Sequence, residues 1–326
     1  MSANSNSINE ALSRKIPFIV GPTAVGKTAT AIELAKQLNG EIISVDSRQV
    51  YRGLDVGTAK PTLRQQQEIP HHLVDILDLD EQISAGAYRN LALKTVSEIQ
   101  SRGRLPIFVG GSGLYVNAVL KGIFQESTTN PEIRREIRQE LQEKGVVALY
   151  NQLLEIDPDT VLKIHINDVK RITRALEIYR ITGQPPSEHY RAQLTNPPFP
   201  YQIFVLTMER ELLYRRINAR VDEMIASGLV TEVQLLIQRG LRQNLDLLMT
   251  LGYREVVQYL DGNCSFSEMV ENIKRNTRRY AKRQLTWFRN QYPEAVWIDV
   301  TEFSNPLTIA DTVRQNLRQT EIQSQA

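Results

Sequence analysis

Cysteine is almost missing from this chain: Cys264 is the single one in 326 residues. One thiol excludes an internal disulfide framework and any zinc site built from cysteines, and it fits a reducing compartment. No apolar run approaches the roughly 20 residues needed to span a bilayer. The polar start, MSANSNSINEALS, has no basic stretch ahead of an apolar core and does not read as a secretory signal. A cytoplasmic chain without membrane contact is therefore expected. Histidine is scarce at four, and His71-His72 and His165 lack metal-ligand spacing with each other, so structural roles are expected for them. Charge of one sign is not in excess either. The net charge is +2, so a nucleic-acid partner has to be met by a local cluster. There is no internal repeat.

What is present is ordinary in bulk: 41% hydrophobic and 23% charged residues, as in a soluble globular protein. The length allows one large domain or two of usual size. The first distinctive stretch is the apolar run IPFIV followed by GPTAVGKT, comprising Gly21, Pro22, Thr23, Ala24, Val25, Gly26, Lys27 and Thr28. It fits G-x-x-x-x-G-K-[ST], a loop whose backbone N–H groups wrap phosphates. ATP is the usual ligand of this motif, but the loop alone does not say whose phosphates it holds.

The order of elements predicts the fold class. Strand IPFIV, a helix with Ile32, Ala35 and Leu38 on one face, strand EIISV, a helix around AYRNLALKTVSEIQSRG and strand LPIFV alternate. This predicts an α/β fold, a P-loop parallel sheet with right-handed crossovers. After about Lys121 the texture turns helical. NPEIRREIRQELQEKG has a cap, a proline at the first helical position and a closing glycine, and VVALYNQLLEID and NDVKRITRALEIYRITG continue in that style. QPPSEHYRAQLTNPPFP reads as irregular. The sheet resumes at YQIFVLT, a helix-rich C-terminal part follows, and AVWIDV is a late strand. The expected organisation is a tail over 1–13, a discontinuous core over 14–121 and 200–318, a helical insertion over 122–199, and a tail over 319–326.

Asp46 ends the second strand, where parallel sheets form their ligand crevice. An ionised carboxylate there could take a proton or hold Mg²⁺ through water, although a turn aspartate is the plainer alternative. GGSGLY, with Ser112, follows the third strand and is expected in the same crevice. The clearest charge pattern lies in IKRNTRRYAKRQLTWFRN. Lys274, Arg275, Arg278, Arg279, Lys282 and Arg283 recur in pairs on one half of a helix, with Arg289 on the same side. Ile273, Thr277, Tyr280, Ala281, Trp287 and Phe288 take the other half. No acid interrupts Lys274 to Asn290. Solvated faces usually alternate signs, so this stripe points to a polyanion. Arg134, Arg135 and Arg138, with Lys170, Arg171 and Arg174, give the insertion basic edges diluted by acids. Arg220 has no signature of its own.

GPTAVGKT, DSRQVYRGLDVGTAKP, VGGSGLY, HINDVKRITRALEIY, ARVDEM, LGYREV and AKRQLTWFR occur in that order. Together they resemble the bacterial tRNA dimethylallyltransferases, or tRNA isopentenyltransferases, from about Ile16 to Trp297. DSRQVYRGLDVGTAKP carries most of the specificity, since nucleotide kinases lack it. The family's turn usually has threonine where Ser112 stands, which keeps a hydroxyl. The zinc finger of eukaryotic members has no counterpart. The resemblance implies a P-loop core with a helical insertion. It implies transfer of a dimethylallyl group from dimethylallyl diphosphate to N6 of the adenosine just 3′ of the anticodon, with pyrophosphate released. It assigns Asp46 as general base, and assigns the loop amides, Lys27, a Mg²⁺ held by Thr28, and Arg220 to the leaving diphosphate. Contacts to the tRNA anticodon stem-loop fall to Asp46, Ser47, Arg48, Gln49, Ser112, Arg134, Lys170, Arg171, Ile172, Thr173, Arg174, Met249, Thr250, Leu251, Gly252, Tyr253 and Arg254. The stripe adds Arg278, Arg279, Lys282 and Arg283, and a monomer is expected.

Three other readings use some of these features. A P-loop metabolite kinase leaves the basic stripe idle. An RNA-dependent ATPase leaves Asp46 idle. A prenyltransferase acting on free adenylate needs neither the insertion nor the stripe.

Overall fold

The computed structural model describes residues 14–122, 130–192, 197, 199–303 and 305–325. The expected tail over 1–13 lies outside the described residues. IPFIV forms β1 (Ile16–Val20), with every residue buried, as a strand covered on both faces must be. Helix α1 (Lys27–Leu38) buries Ile32, Ala35 and Leu38, and Asn39 closes it in the left-handed region at φ 52°. Then follow β2 (Gly40–Val45), α2 (Leu63–Glu68), β3 (His71–His72), α3 (Ala85–Ser101), β4 (Leu105–Gly110) and α4 (Gly113–Lys121). Helices α5 (Pro131–Ile156), α6 (Pro158–Val161), α7 (Val169–Thr182) and α8 (Pro186–Ala192) come next. The chain returns through β5 (Tyr201–Thr207), α9 (Arg210–Ala226), α10 (Leu229–Gln238), α11 (Arg242–Leu248), α12 (Tyr253–Leu260), α13 (Phe266–Gln291), β6 (Val296–Asp299) and α14 (Pro306–Gln325).

Two compact units result, Met1–Val116 with Pro198–Ala326, and Asn117–Pro197. The first holds one sheet of six strands in the order β3-β2-β4-β1-β5-β6, with every pair parallel. β1 lies in the interior between β4 and β5, so its carboxyl end opens in the middle of the sheet. Phe18 of β1 stacks on Phe108 of β4 with ring centroids 4.3 Å apart. Ile32 and Ala35 of α1 share a buried cluster with Ile309 and Val313 of α14. A second cluster joins Val50 and Leu54 to Tyr253, Val256 and Ile273.

The second unit packs Ile137, Leu149 and Leu153 of α5 against Ile172 and Leu176 of α7. Asn130 caps α5, accepting from the Glu132 and Ile133 N–H groups, and Gly145, at φ 77° and ψ 169°, breaks the helix where a closing glycine was read. Asp168 caps α7, and Gly183 ends it at φ 72°.

Four features differ from the sequence reading. The edge strand β3 spans two residues, too few to show a period, and α2 before it is only one and a half turns long. VGGSGLY is only partly a turn, because α4 starts at Gly113. The stretch read as irregular contributes α8, which starts on Pro186, a residue whose fixed φ suits a first turn. The expected tail over 319–326 continues α14 to Gln325, since RQTEIQSQ contains no glycine or proline to stop a helix.

β2 also carries a buried acid. Glu41, with its side chain 4% exposed, meets His72 at 2.6 Å, Arg102 at 2.7 Å and Arg104 at 3.4 Å. Burial pushes its carboxyl up, but hydrogen bonds from Arg102 and His72 outweigh that and hold it below the ordinary 4.5. A folded-state value below the unfolded one stabilises at pH above about 4.5, and the contribution disappears as pH falls through the folded value. Glu41→Gln is expected to lower stability at pH 7 by about 1.5–3 kcal/mol, the range for hydrogen bonds to a charged group. The difference from wild type should vanish on acidification. Urea denaturation at pH 7 and pH 3 reads both effects.

Candidate active site

The phosphate loop joins β1 to α1 and has the geometry the motif demands. Gly26 precedes the helix at φ 106°, a conformation that favours glycine, and no side chain caps the first turn. The free first-turn N–H groups and the positive end of α1 are therefore available to an anion. Lys27 Nζ donates to Pro22 O at 2.7 Å, which leaves two of its three protons for a ligand. Burial pushes Lys27 down to about 7, the Arg220 charge adds to that, and Asp46 opposes it. A bound polyanion would oppose both unfavourable causes.

One cavity of about 760 Å³ gathers much of the expected site. Thr23, Ala24, Gly26, Lys27 and Thr28 line it, whereas Gly21, Pro22 and Val25 form the packed underside of the loop. Asp46, Ser47, Arg48 and Gln49 enter from the end of β2, Arg220 from α9, and Met249 to Gly252 with Arg254 from the α11–α12 turn. Arg279 and Arg283 enter from α13. Residues separated by more than 200 positions thus meet around one space, of a size that takes a substantial ligand.

Asp46 is partly a turn residue. Its Oδ1 accepts from the Arg48 N–H at 2.8 Å and the Gln49 N–H at 3.3 Å. Oδ2 has no hydrogen-bond partner among the described residues and is the oxygen free to act. Ser112 Oγ accepts from the Ser47 N–H at 3.0 Å, so this hydroxyl ties the β4 turn to the segment that carries Asp46. Arg220 Nε is buried without a hydrogen-bond partner, and the residue lines the cavity. Tyr280 also lines the cavity. Burial, reinforced by the Asp46 charge, pushes its hydroxyl up to about 12 although 36% of the residue is exposed, so it serves as a donor and not as a base.

Several expectations change. Thr23 N–H is already taken, by Gln284 Oε1 at 2.9 Å. Tyr253 is fully buried and its hydroxyl donates to Glu232, so it is wall and not contact surface. The basic stripe divides. Lys274 pairs with Asp222 at 2.8 Å and Arg278 donates to Asn218 at 2.7 Å, both on α9. Arg279, Lys282 and Arg283 remain exposed. Tyr280, placed with the packed half, faces the cavity because buried positions on α13 follow Ile273, Ala281, Gln284 and Phe288.

In the second unit, Arg134 and Arg174 converge on the buried Glu177, at 2.6 and 2.7 Å. Ile172 is fully buried there, and Thr173 Oγ1 bonds back to Val169 O at 2.8 Å. Lys170 and Arg171 are exposed. His72 and His165 have structural partners, Glu41 Oε2 at 2.6 Å and the Asn167 N–H at 3.2 Å.

Sequence reasoning missed three groups. Gln284 lies inside the charge pattern and carries no charge itself. Glu255 is buried, accepts from the Gly252 and Asn276 side of the cavity wall at 2.8 Å each, and pairs with Arg254 at 2.6 Å. His71 lines the cavity although read as purely structural. Its Nδ1 donates to Ile69 O at 2.7 Å, and its Nε2 is buried without a partner. No local signal in the sequence marks any of the three.

A divalent cation fits the donor set. Thr28 Oγ1 has no hydrogen-bond partner among the described residues, and Asp46 Oδ2 borders the same cavity. Both are hard oxygens. No cluster of three or more His, Cys, Asp or Glu residues able to hold a metal occurs among the described residues. Magnesium bound mainly through a ligand's phosphates suits such a site.

A parallel sheet whose interior strand opens into this lysine-bearing loop makes the chain a P-loop protein. Residues 49–291 match the model of the IPP transferase family. A tRNA dimethylallyltransferase of Geobacillus thermodenitrificans is 48% identical over 292 residues, covering 89% of this chain and 92% of the relative. One from Pelotomaculum thermopropionicum is 45% identical, covering 92% and 96%. The full-length tRNA isopentenylpyrophosphate transferase of Bacillus halodurans superposes with a TM-score of 0.70 at 42% identity, over 96% of this chain and 100% of that one. A eukaryotic dimethylallyltransferase acting on tRNA superposes with a TM-score of 0.77 at 31% identity, over 90% and 75%. The chain belongs to the IPP transferase family.

Proposed function

We propose that this protein transfers the dimethylallyl group of dimethylallyl diphosphate to the exocyclic N6 of the adenosine 3′ of the anticodon in tRNA. The observation that carries the reading is one cavity shared by a phosphate loop, an aspartate with a free carboxylate oxygen, and arginines from a helix stretch without acids. An ATP-consuming enzyme would have no linked use for the last two.

The adenine amino group is a weak nucleophile because its lone pair is delocalised into the ring. As the N6–C bond forms and the C–O bond to the diphosphate breaks, Asp46 Oδ2 takes the proton that N6 loses. The electron pair leaves with the diphosphate, where first-turn amides of α1, Lys27 and Arg220 meet the growing charge. Thr28 is the group that would hold magnesium, whose charge would help neutralise the diphosphate. The target base has to leave its stack, at a cost of a few kcal/mol, less in a loop than in a duplex. Arg279, Lys282 and Arg283, with Lys170 and Arg171 in the second unit, supply phosphate contacts that offset this. The reading has the chain act as a monomer in the cytoplasm.

The test is direct. Labelled dimethylallyl diphosphate is incubated with the protein, magnesium and bulk tRNA, and label is expected in the RNA. A protein that folds and leaves the RNA unlabelled is not this enzyme.

The divided stripe makes a second expectation. Arg279, Lys282 and Arg283 changed together to Gln should weaken tRNA binding and leave donor affinity unchanged. The magnitude of the slope of log K against log salt should fall by roughly 0.7–0.9 per lost phosphate contact. Arg278→Gln alone should leave the slope as it was, because its guanidinium is held on Asn218.

A further inference from the structure

We infer that Gln284 is a positioning residue for the donor diphosphate, acting through the phosphate loop that it anchors. The inference rests on the proposed reading that this loop holds a diphosphate. Gln284 is 6% exposed on α13. Its Oε1 accepts from the Thr23 N–H at 2.9 Å, and its Nε2 donates to Gly111 O at 3.0 Å. One amide therefore closes the gap between the loop after β1 and the turn after β4, two strands that pair side by side.

The loop needs such an anchor. Its residues reach the ligand through backbone N–H groups, whose directions depend on loop conformation and not on side-chain rotamers. Ala24 sits in the left-handed region at φ 66°, directly after Thr23 and before the amides that face the cavity. A non-glycine residue held there must be fixed by its surroundings. The described contacts of Thr23 N–H run to Gln284 alone, so the hydrogen bond fixes the residue preceding that turn. Gln284 also follows Arg283, which lines the cavity. The helix that presents cations to the acceptor side is thus the one that holds the donor loop.

The close approach at Gly111 gives an independent handle. A Cβ placed on Gly111 would collide with Gln284 Nε2, and would sit 3.2 Å from Gly21 O. Gly111 has an ordinary backbone conformation, so Gly111→Ala acts by displacing the Gln284 amide and leaves that residue's chemistry intact.

The experiment compares wild type, Gln284→Met, Gly111→Ala and the double variant. Dimethylallyl diphosphate and tRNA are titrated separately by calorimetry with magnesium present, well below each protein's melting temperature. Each single variant is expected to bind the diphosphate roughly tenfold more weakly, about the effect of one lost hydrogen bond to a charged or pre-organised group. Affinity for tRNA should stay within about twofold, a split that general loosening of the fold would not give. The double variant should be no weaker than the worse single one, since both remove the same anchor. If Gln284→Met does not fold, Gly111→Ala carries the same expectation. Donor affinity unchanged in both variants, or losses that simply add, would overturn the inference while leaving the functional reading intact. Wild type that binds no dimethylallyl diphosphate would sink the functional reading, and the inference with it.

Discussion

Asp46→Asn is expected to cut transfer by roughly 10²–10⁴, the range for a positioned general base, while both substrates still bind. The substitution isolates one oxygen. Asn Oδ1 can still accept from the Arg48 and Gln49 N–H groups, so the turn that Asp46 Oδ1 now holds survives. The amide nitrogen then stands where Oδ2 was, and it cannot take a proton. Ser112 continues to fix the neighbouring Ser47 N–H, so the segment should not drift. Single-turnover transfer with saturating donor and tRNA measures the chemical step without product release. Near wild-type rates would remove Asp46 as the base.

Lys27→Ala is expected to slow transfer by roughly 10²–10³, corresponding to about 2.7–4 kcal/mol if the lysine stabilises a developing oxyanion as other such donors do. Lys27 is half-buried, and desolvation with the Arg220 charge works against its own charge. A protein that keeps a lysine in such surroundings gains when an anion arrives, because the unfavourable terms are then offset. Arg220 stands in the same position, half-buried with its Nε unsatisfied. The loss should appear in the chemical step more than in ground-state binding, because charge on the diphosphate grows as the C–O bond breaks. The Pro22 carbonyl loses its partner in the variant, so a melting curve should accompany the rates. A variant of wild-type stability that transfers at the wild-type rate would exclude Lys27 from the diphosphate site.

The legible parts of this protein are those with a local cause. A buried parallel strand reads as an unbroken apolar run, which is why IPFIV, EIISV, LPIFV and YQIFVLT could be placed from sequence. The phosphate loop is local as well, since its geometry follows from glycine spacing and a helix start. The basic stripe was legible as periodicity, but periodicity carries no information about partners on another helix. Asp222 and Asn218 on α9 claim two of its cations, and no pattern within α13 could show that. Arg134 and Arg174 illustrate the same limit: their meeting point, Glu177, is buried by tertiary packing. Arg220, His71 and Gln284 matter because of what lies opposite them across the cavity. The two-residue strand β3 was invisible because it is shorter than any period.

The central claim is that the loop serves an allylic diphosphate and not ATP. It is tested by measuring two products side by side: pyrophosphate from dimethylallyl diphosphate plus tRNA, and ADP from ATP plus tRNA. Pyrophosphate should appear in step with prenylated RNA, and ADP should not exceed the level without protein. ADP formed at a comparable rate, with no prenylated RNA, would contradict the account and identify an RNA-dependent ATPase instead.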